Sequence, residues 1–319
     1  MIKAGVVGVG HLGRHHARLY GVLPDVQLVG IADVDEKRGR ERAEEYNAAF
    51  YTEYRELLGK VDVVSIAVPT TMHHRVTKEF LDAGIHVLLE KPIATSLLEA
   101  DELVTLADDR GVMLQVGHLE RFNPAVLAVK DKLKAPLFIE AHRIGPFSNR
   151  GTDVDVILDL MIHDLDLVLH FVKQPVAALH SVGVPVLSDQ ADIANCRIEF
   201  EGGCVANLTA SRASLEPLRK MRIFQADSYI SMDFQKRQSV MVARNRSVPF
   251  DFTNPMKSIL PVPLDNREGE PLKLEIESFV ACVAAGRQPE ASGRAARDAL
   301  ALALEVRKAL APLPPEVTS

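Results

Sequence analysis

The chain has 319 residues, 47% of them apolar and 25% charged, enough for a buried core and, at this length, for two domains. A formal charge of −6 gives no basic footprint for nucleic acid or for an anionic membrane surface. Cys196, Cys204 and Cys282 form no CxxC pair, so neither a zinc knuckle nor a disulfide framework is expected. Residues 1–9 are apolar but run into glycines with no cleavage site, and no apolar run is long enough for a membrane span. A soluble protein of a reducing cytoplasm is expected.

In chain order, residues 4–8, 27–32, 61–68, 86–89 and 112–116 are short apolar runs rich in valine and isoleucine. Helical patterns at 12–23, 36–46, 72–83 and 97–109 separate them. Apolar strands alternating with helices predict a parallel sheet covered on both faces. The rhythm then changes. A helix begins at Asn123-Pro124, a strand covers 137–144, and a continuous helix is predicted over 154–172. Strand-like runs at 177–187, 191–200, 204–211, 221–226, 228–234 and 239–243 have no helices between them, so they predict a mostly antiparallel, open sheet. Residues 247–270 carry several prolines and little periodicity, which predicts a loop; helices at 272–285 and 294–310 end the chain. The fold class is therefore α/β: a Rossmann domain at 1–120, then an α+β domain at 121–319 whose last helices have the option of packing back on the Rossmann half.

Gly8-Val9-Gly10-His11-Leu12-Gly13 matches G-x-G-x-x-G, directly after the first strand and at the opening of a helix. In that context the first glycine permits the tight turn, the second admits a pyrophosphate, and the third lets helix and strand pack closely. Asp33 ends the second strand, about 20 residues further on, where a carboxylate accepts from both ribose hydroxyls and repels a 2′-phosphate. The cofactor reading is therefore NAD. Lys37, Arg38 and Arg40 nearby keep NADP open as an alternative. His16 falls on the helical stripe Leu12, His16, Leu19, Tyr20, Leu23 and reads as a packed histidine.

Gly8 to Gly13, the run Val68-Pro69-Thr70-Thr71-Met72-His73, the triplet Glu90-Lys91-Pro92 and the pair Asp159 and His163 occur in the order of the Gfo/Idh/MocA oxidoreductases. The chain resembles that family from end to end. The run Gly117-His118-Leu119-Glu120-Arg121-Phe122-Asn123-Pro124-Ala125 resembles the branch that oxidises the 3-hydroxyl of UDP-N-acetylated sugars such as UDP-N-acetylglucosamine. The resemblance implies cofactor contacts at Pro69 and His73 as well as in the glycine loop. It also implies that Glu90 meets the nicotinamide ribose, that Lys91 and His163 face the reacting hydroxyl, and that the Lys91-Pro92 bond is cis. Thr70 stands where the family often has asparagine.

Oxidising a secondary alcohol needs a hydride acceptor, which the cofactor provides, and a group that takes the hydroxyl proton. Lys91 follows the strand at 86–89, at the carboxyl edge where ligands of open α/β sheets bind. There an ammonium stabilises alkoxide character; the bland alternative is a solvated loop lysine. Asp159 and His163, four apart, share one helical face in an apolar setting. A lone histidine there would be a core residue, but the aspartate makes an oriented general base. Asp159, His163 and Asp164 also suggest a metal, yet their spacing matches no zinc signature and hydride transfer needs none.

Arg143 and Arg150 are candidates for holding a substrate diphosphate, with edge-strand arginines as the alternative. Arg121 is a candidate for cofactor or substrate contact, and Asn123 for substrate contact or a helix cap. A free-polyol dehydrogenase would share Lys91, Asp159 and His163, whereas a cofactor-responsive regulator on this fold need not retain them. One face of the antiparallel sheet is left uncovered, so a homodimer or homotetramer through it is expected.

Overall fold

The computed structural model describes residues 1–147 and 155–310, which form two units. The first comprises Met1–Leu119 and Glu270–Leu300; the second comprises Glu120–Gly269 and the chain from Ala301. In the first unit, strands β1 (Ile2–Val7), β2 (Val26–Ala32), β3 (Ala49–Tyr51), β4 (Val63–Ile66), β5 (His86–Leu89) and β6 (Leu114–Val116) pair in parallel, in the order β3-β2-β1-β4-β5-β6. Helices α1 (Gly13–Tyr20), α2 (Glu36–Glu45), α3 (Thr70–Asp82) and α4 (Leu97–Arg110) connect them. The strands are mostly apolar because both faces of the sheet are covered; every residue of β4 is buried. The strand order reverses between β1 and β4, so the connections leave those neighbours in opposite directions and open a crevice at their carboxyl ends.

The second unit begins with the short helix α5 (Pro124–Leu127), followed by β7 (Phe138–Ile144). A π turn at Ile157–Met161 leads into α6 (Ile162–Val172). Strands β8 (Val176–Val184), β9 (Ile193–Phe200), β10 (Val205–Ser211), β11 (Leu218–Gln225), β12 (Ser228–Asp233), β13 (Gln238–Arg244) and β14 (Ile259–Val262) complete a sheet ordered β14-β13-β12-β11-β7-β10-β9-β8. Among the described strand pairs of this second sheet, β7–β10 is parallel and the others are antiparallel. Helix α7 (Pro271–Ala285) returns to the first unit, where Ile276, Phe279 and Cys282 join a core with Val6, Tyr20 and Leu88. Helix α8 (Gly293–Lys308) contributes to both units.

Three features depart from the sequence reading. The edge strand β3 is too short to show a period. The segment read as loop contains β14, an edge strand that tolerates Pro261 because its outer side needs no ladder donor. The helix predicted as continuous over 154–172 starts with the π turn; the Asp155 carboxylate caps it by accepting from the Ile157 and Leu158 N–H groups, and Val154 lies outside the described residues.

Two buried arginines tie α6 to its surroundings. Arg143, on β7, donates Nε and Nη2 to Asp164 on α6 at 3.0 and 2.9 Å, and Nη1 to Glu120 at 2.8 Å. Arg121 makes a second bidentate pair with Asp166 at 2.7 and 2.6 Å. Removing one partner strands a charge out of water, which costs about 3–5 kcal/mol. Asp164→Ala is therefore expected to lower unfolding stability by about that much in urea titrations; a loss under about 1 kcal/mol would show that Glu120 alone satisfies Arg143.

Candidate active site

The glycine loop sits at the carboxyl end of β1, on one side of the switch point. Gly8 has φ +81°, and a Cβ there would fall 2.7 Å from the Ala67 carbonyl oxygen. A Cβ on Gly13 would fall 1.8 Å from the Gly8 carbonyl oxygen, so α1 can approach β1 only with glycine. Gly10 is different. A Cβ there would meet no described protein atom within 4 Å. At this place in a G-x-G-x-x-G turn the absence of a side chain is what lets a pyrophosphate approach the backbone. Helix α1, which starts at Gly13, has no side-chain cap and no acid in its first turn, so its positive end suits an anion. His11 and Leu12 lie in the loop, with Leu12 exposed.

Asp33 follows β2 and is nearly out of water. Its Oδ2 accepts from Val9 N–H (2.8 Å) and Arg38 Nε (3.1 Å), and its Oδ1 from Asp35 N–H (2.8 Å) and Arg38 Nη2 (2.7 Å). Burial works to raise its pKa, but the Arg38 hydrogen bonds and the two backbone N–H groups outweigh it and hold the carboxyl below its ordinary range. All four or so acceptor positions of this carboxylate are taken. The two backbone donors are fixed, so ribose hydroxyls reach Asp33 only if the guanidinium of Arg38, 43% exposed, swings away. Arg40, by contrast, pairs with Glu36 on α2.

On the other side of the switch point, Pro69 opens α3 after β4. His73 in α3 is buried with Nδ1 2.7 Å from the Pro92 carbonyl and Nε2 3.0 Å from the Val68 carbonyl. Burial lowers its pKa, so near neutral pH the uncharged ring donates to one of them and spans the segments holding Pro69 and Lys91. Glu90 and Lys91 follow β5, and the Lys91-Pro92 bond is cis. Glu90 accepts from His16 Nε2 at 3.0 Å. Burial pushes its carboxyl up, but the hydrogen bond from His16 and the nearby positive charge of Lys91 bring it below its ordinary range. Lys91 is half-buried at this same strand edge.

In the second unit, Asp159 lies in the π turn and His163 is the second residue of α6; both are half-buried. A π turn of this kind is frequent at functional sites, and its wider winding keeps a four-residue separation within one turn. The arginines depart from the sequence reading. Arg143 is 3% exposed and committed to Asp164 and Glu120, so it is not available to a diphosphate. Burial works against its charge, yet those two carboxylates hold its pKa well above the ordinary value. Arg121 is buried against Asp166 and His170, a structural setting rather than a cofactor contact. Asn123 caps α5 through Ala125 N–H and donates to Glu120 and the Phe234 carbonyl, so its amide is also structural. Arg150 lies outside the described residues.

The sequence reading missed the partners of Glu90. His16, read as simply packed, bonds Ser65 as well as Glu90. Ser65 is a hydroxyl in an otherwise apolar, fully buried strand, and that was the available signal.

Comparison with known proteins agrees with this fold. The model of the oxidoreductase family with an NAD-binding Rossmann fold matches residues 2–118, and that of the GFO/IDH/MocA C-terminal domain matches residues 140–228. UDP-N-acetylglucosamine 3-dehydrogenase of Acidithiobacillus ferrooxidans is 39% identical over 311 residues, 97% of each chain. The chain belongs to the Gfo/Idh/MocA oxidoreductase family. It is an oxidoreductase with an NAD-binding Rossmann domain. A solved structure of the Acidithiobacillus enzyme matches with a TM-score of 0.88 over 97% of each chain. The scyllo-inositol 2-dehydrogenase (NAD(+)) of Bacillus subtilis is 26% identical over 316 residues, 90% of this chain and 88% of the relative.

A carboxylate at a ribose repels a 2′-phosphate and a guanidinium attracts one, so removing the Asp33 carboxylate beside Arg38 is expected to reverse the balance. Asp33→Ala should weaken NADH and strengthen NADPH in fluorescence titrations, moving the affinity ratio by roughly 10-fold or more. An unchanged ratio would show that Asp33 does not face the ribose.

Proposed function

We propose that this protein is an NAD-dependent dehydrogenase of a nucleotide-activated sugar, oxidising the C3 hydroxyl of UDP-N-acetylglucosamine or a close relative. The observation that carries the redox half is the unfilled space at Gly10 beside the uncapped start of α1, at the sheet's switch point. The substrate half is supported by the 39% identity to the Acidithiobacillus enzyme, which extends over 97% of both chains, and by the run Gly117 to Ala125.

When bound, NAD supplies the hydride acceptor. Glu90, kept ionised, accepts from the nicotinamide ribose hydroxyls, while Pro69 and His73 shape the cofactor site beside it. Lys91 donates to the substrate oxygen and stabilises alkoxide character as the C–H bond breaks. His163 takes the hydroxyl proton, with Asp159, four residues earlier, as the candidate to orient its ring. With Arg121, Asn123 and Arg143 committed to buried partners, Arg150 is the remaining candidate among the sequence-read arginines for a diphosphate.

The test is NADH formation at 340 nm with UDP-N-acetylglucosamine, free N-acetylglucosamine and inositols. Turnover of the UDP-sugar alone is expected; turnover of inositols alone would assign the protein to the polyol dehydrogenases, and none with any sugar despite tight NAD binding would favour a regulator. His163→Ala and Lys91→Ala should each lower kcat by roughly 10²–10⁴-fold with NADH affinity retained. Near-wild-type turnover would remove the residue from the proton path.

A homodimer or homotetramer through the second unit's sheet is part of this reading. Val182, Val184, Phe224 and Val240 are exposed on one face of its strands, an apolar surface of the kind that marks a protein contact. A cytoplasmic location suits Cys196, Cys204 and Cys282, all buried and unlinked. No helix among the described residues is long and apolar enough to cross a membrane. Sedimentation equilibrium at micromolar concentration should give a dimer or tetramer, and Val240→Lys should dissociate it; a wild-type monomer would refute the interface.

A further inference from the structure

Tyr20, Ser65 and His16 are three polar side chains buried in the core between α1 and β4, beside Val6, Val63 and Leu88. Three apolar residues would fill that volume without the cost of desolvating a phenol, a hydroxyl and an imidazole. They form one chain: Tyr20 Oη to Ser65 Oγ at 2.9 Å, Ser65 Oγ to His16 Nδ1 at 3.0 Å, and His16 Nε2 to Glu90 Oε1 at 3.0 Å. Burial raises the Tyr20 pKa, so its hydroxyl stays protonated. Ionised Glu90 can only accept, so His16 Nε2 donates. Ser65 Oγ stands between His16 Nδ1 and Tyr20 Oη and can donate to one while accepting from the other. Each polar atom of the chain has a partner, and the chain ends on one carboxylate oxygen.

The other side of that carboxylate is also confined. A Cβ on Gly117 would fall 3.0 Å from Glu90 Oε2, so the glycine that follows β6 leaves room for the side chain to stand in one place. The backbone is fixed as well, since Glu90 N–H donates to the Ile66 carbonyl and Gly117 N–H to the Leu89 carbonyl. Glu90 keeps 12% side-chain exposure, while His16 keeps 1%. The one outlet of the buried chain is therefore the group that can reach a ligand.

We propose that His16 is a positioning residue for the cofactor: with Ser65 and Tyr20 behind it and Gly117 opposite, it holds the Glu90 carboxylate in the orientation that receives the nicotinamide ribose. This rests on the reading that Glu90 contacts that ribose. Asp33, the candidate for the adenosine ribose, is held by separate donors, Val9 N–H, Asp35 N–H and Arg38, so the chain bears on the nicotinamide half only.

The experiment compares dissociation constants for NADH and for ADP, which lacks the nicotinamide ribose, in wild type, His16→Leu, His16→Gln, Glu90→Gln and the His16→Leu/Glu90→Gln double variant. His16→Leu should weaken NADH roughly 10-fold or more and leave ADP unchanged. His16→Gln, whose amide N–H reaches towards the place of Nε2, should restore part of the loss. On the Glu90→Gln background, His16→Leu should add little further. Equal losses for NADH and ADP, or full additivity in the double variant, would overturn the positioning role while leaving the ribose contact intact. If Glu90→Gln itself leaves NADH affinity unchanged, the ribose contact fails and the positioning role fails with it.

Discussion

Two carboxylates, Asp33 and Glu90, stand almost out of water at the carboxyl edge of the parallel sheet, and a dinucleotide site there requires both to remain ionised. Burial alone would neutralise them. The fold prevents this by local donors: backbone N–H groups and Arg38 at Asp33, and His16 at Glu90. Both carboxylates follow strands that belong to the same sheet, one on each side of the switch point, so their separation is set by strand pairing rather than by loop conformation. Glycines at positions 8 and 13 draw α1 against β1, and the open position at Gly10 lies in the loop between them.

The second unit meets a different demand, to hold a helix that carries a histidine and an aspartate in a largely apolar environment. Arg143 and Arg121 satisfy it through Asp164 and Asp166, two acids on the same helix as His163. Those pairs consume charges that a reader of the sequence would offer to substrate. Buried ion pairs contribute little net stability over apolar packing, but they fix the position of α6 relative to β7, which is the constancy the proposed base His163 needs.

Much of the fold was legible because its signals are local. Strands buried on both faces read as unbroken valine and isoleucine, and the glycine loop stands directly between a strand and a helix. The elements that were not legible lack such a local signal: β3 is too short for periodicity, β14 carries Pro261 at a sheet edge, and the π turn differs from an α-turn by one hydrogen-bond register. At the site, Gly8, Gly10, Gly13 and Asp33 were read from spacing, Lys91 and His163 from position as well as from family resemblance, and Glu90 from resemblance alone. The fates of His16 and Arg143 were hidden because their partners are remote in sequence: Ser65 and Glu90 for the first, Asp164 and Glu120 for the second. A buried charge's partner is a tertiary fact, and periodicity carries no trace of it.

The account turns on one geometry, a dinucleotide lying across the switch point with a carboxylate at each ribose. A crystal structure of the protein with NAD bound tests it most directly. The adenosine ribose hydroxyls should lie within hydrogen-bond distance of Asp33, with Arg38 displaced, and the nicotinamide ribose hydroxyls within that distance of Glu90. A dinucleotide bound elsewhere, or with its two ends exchanged, would contradict it.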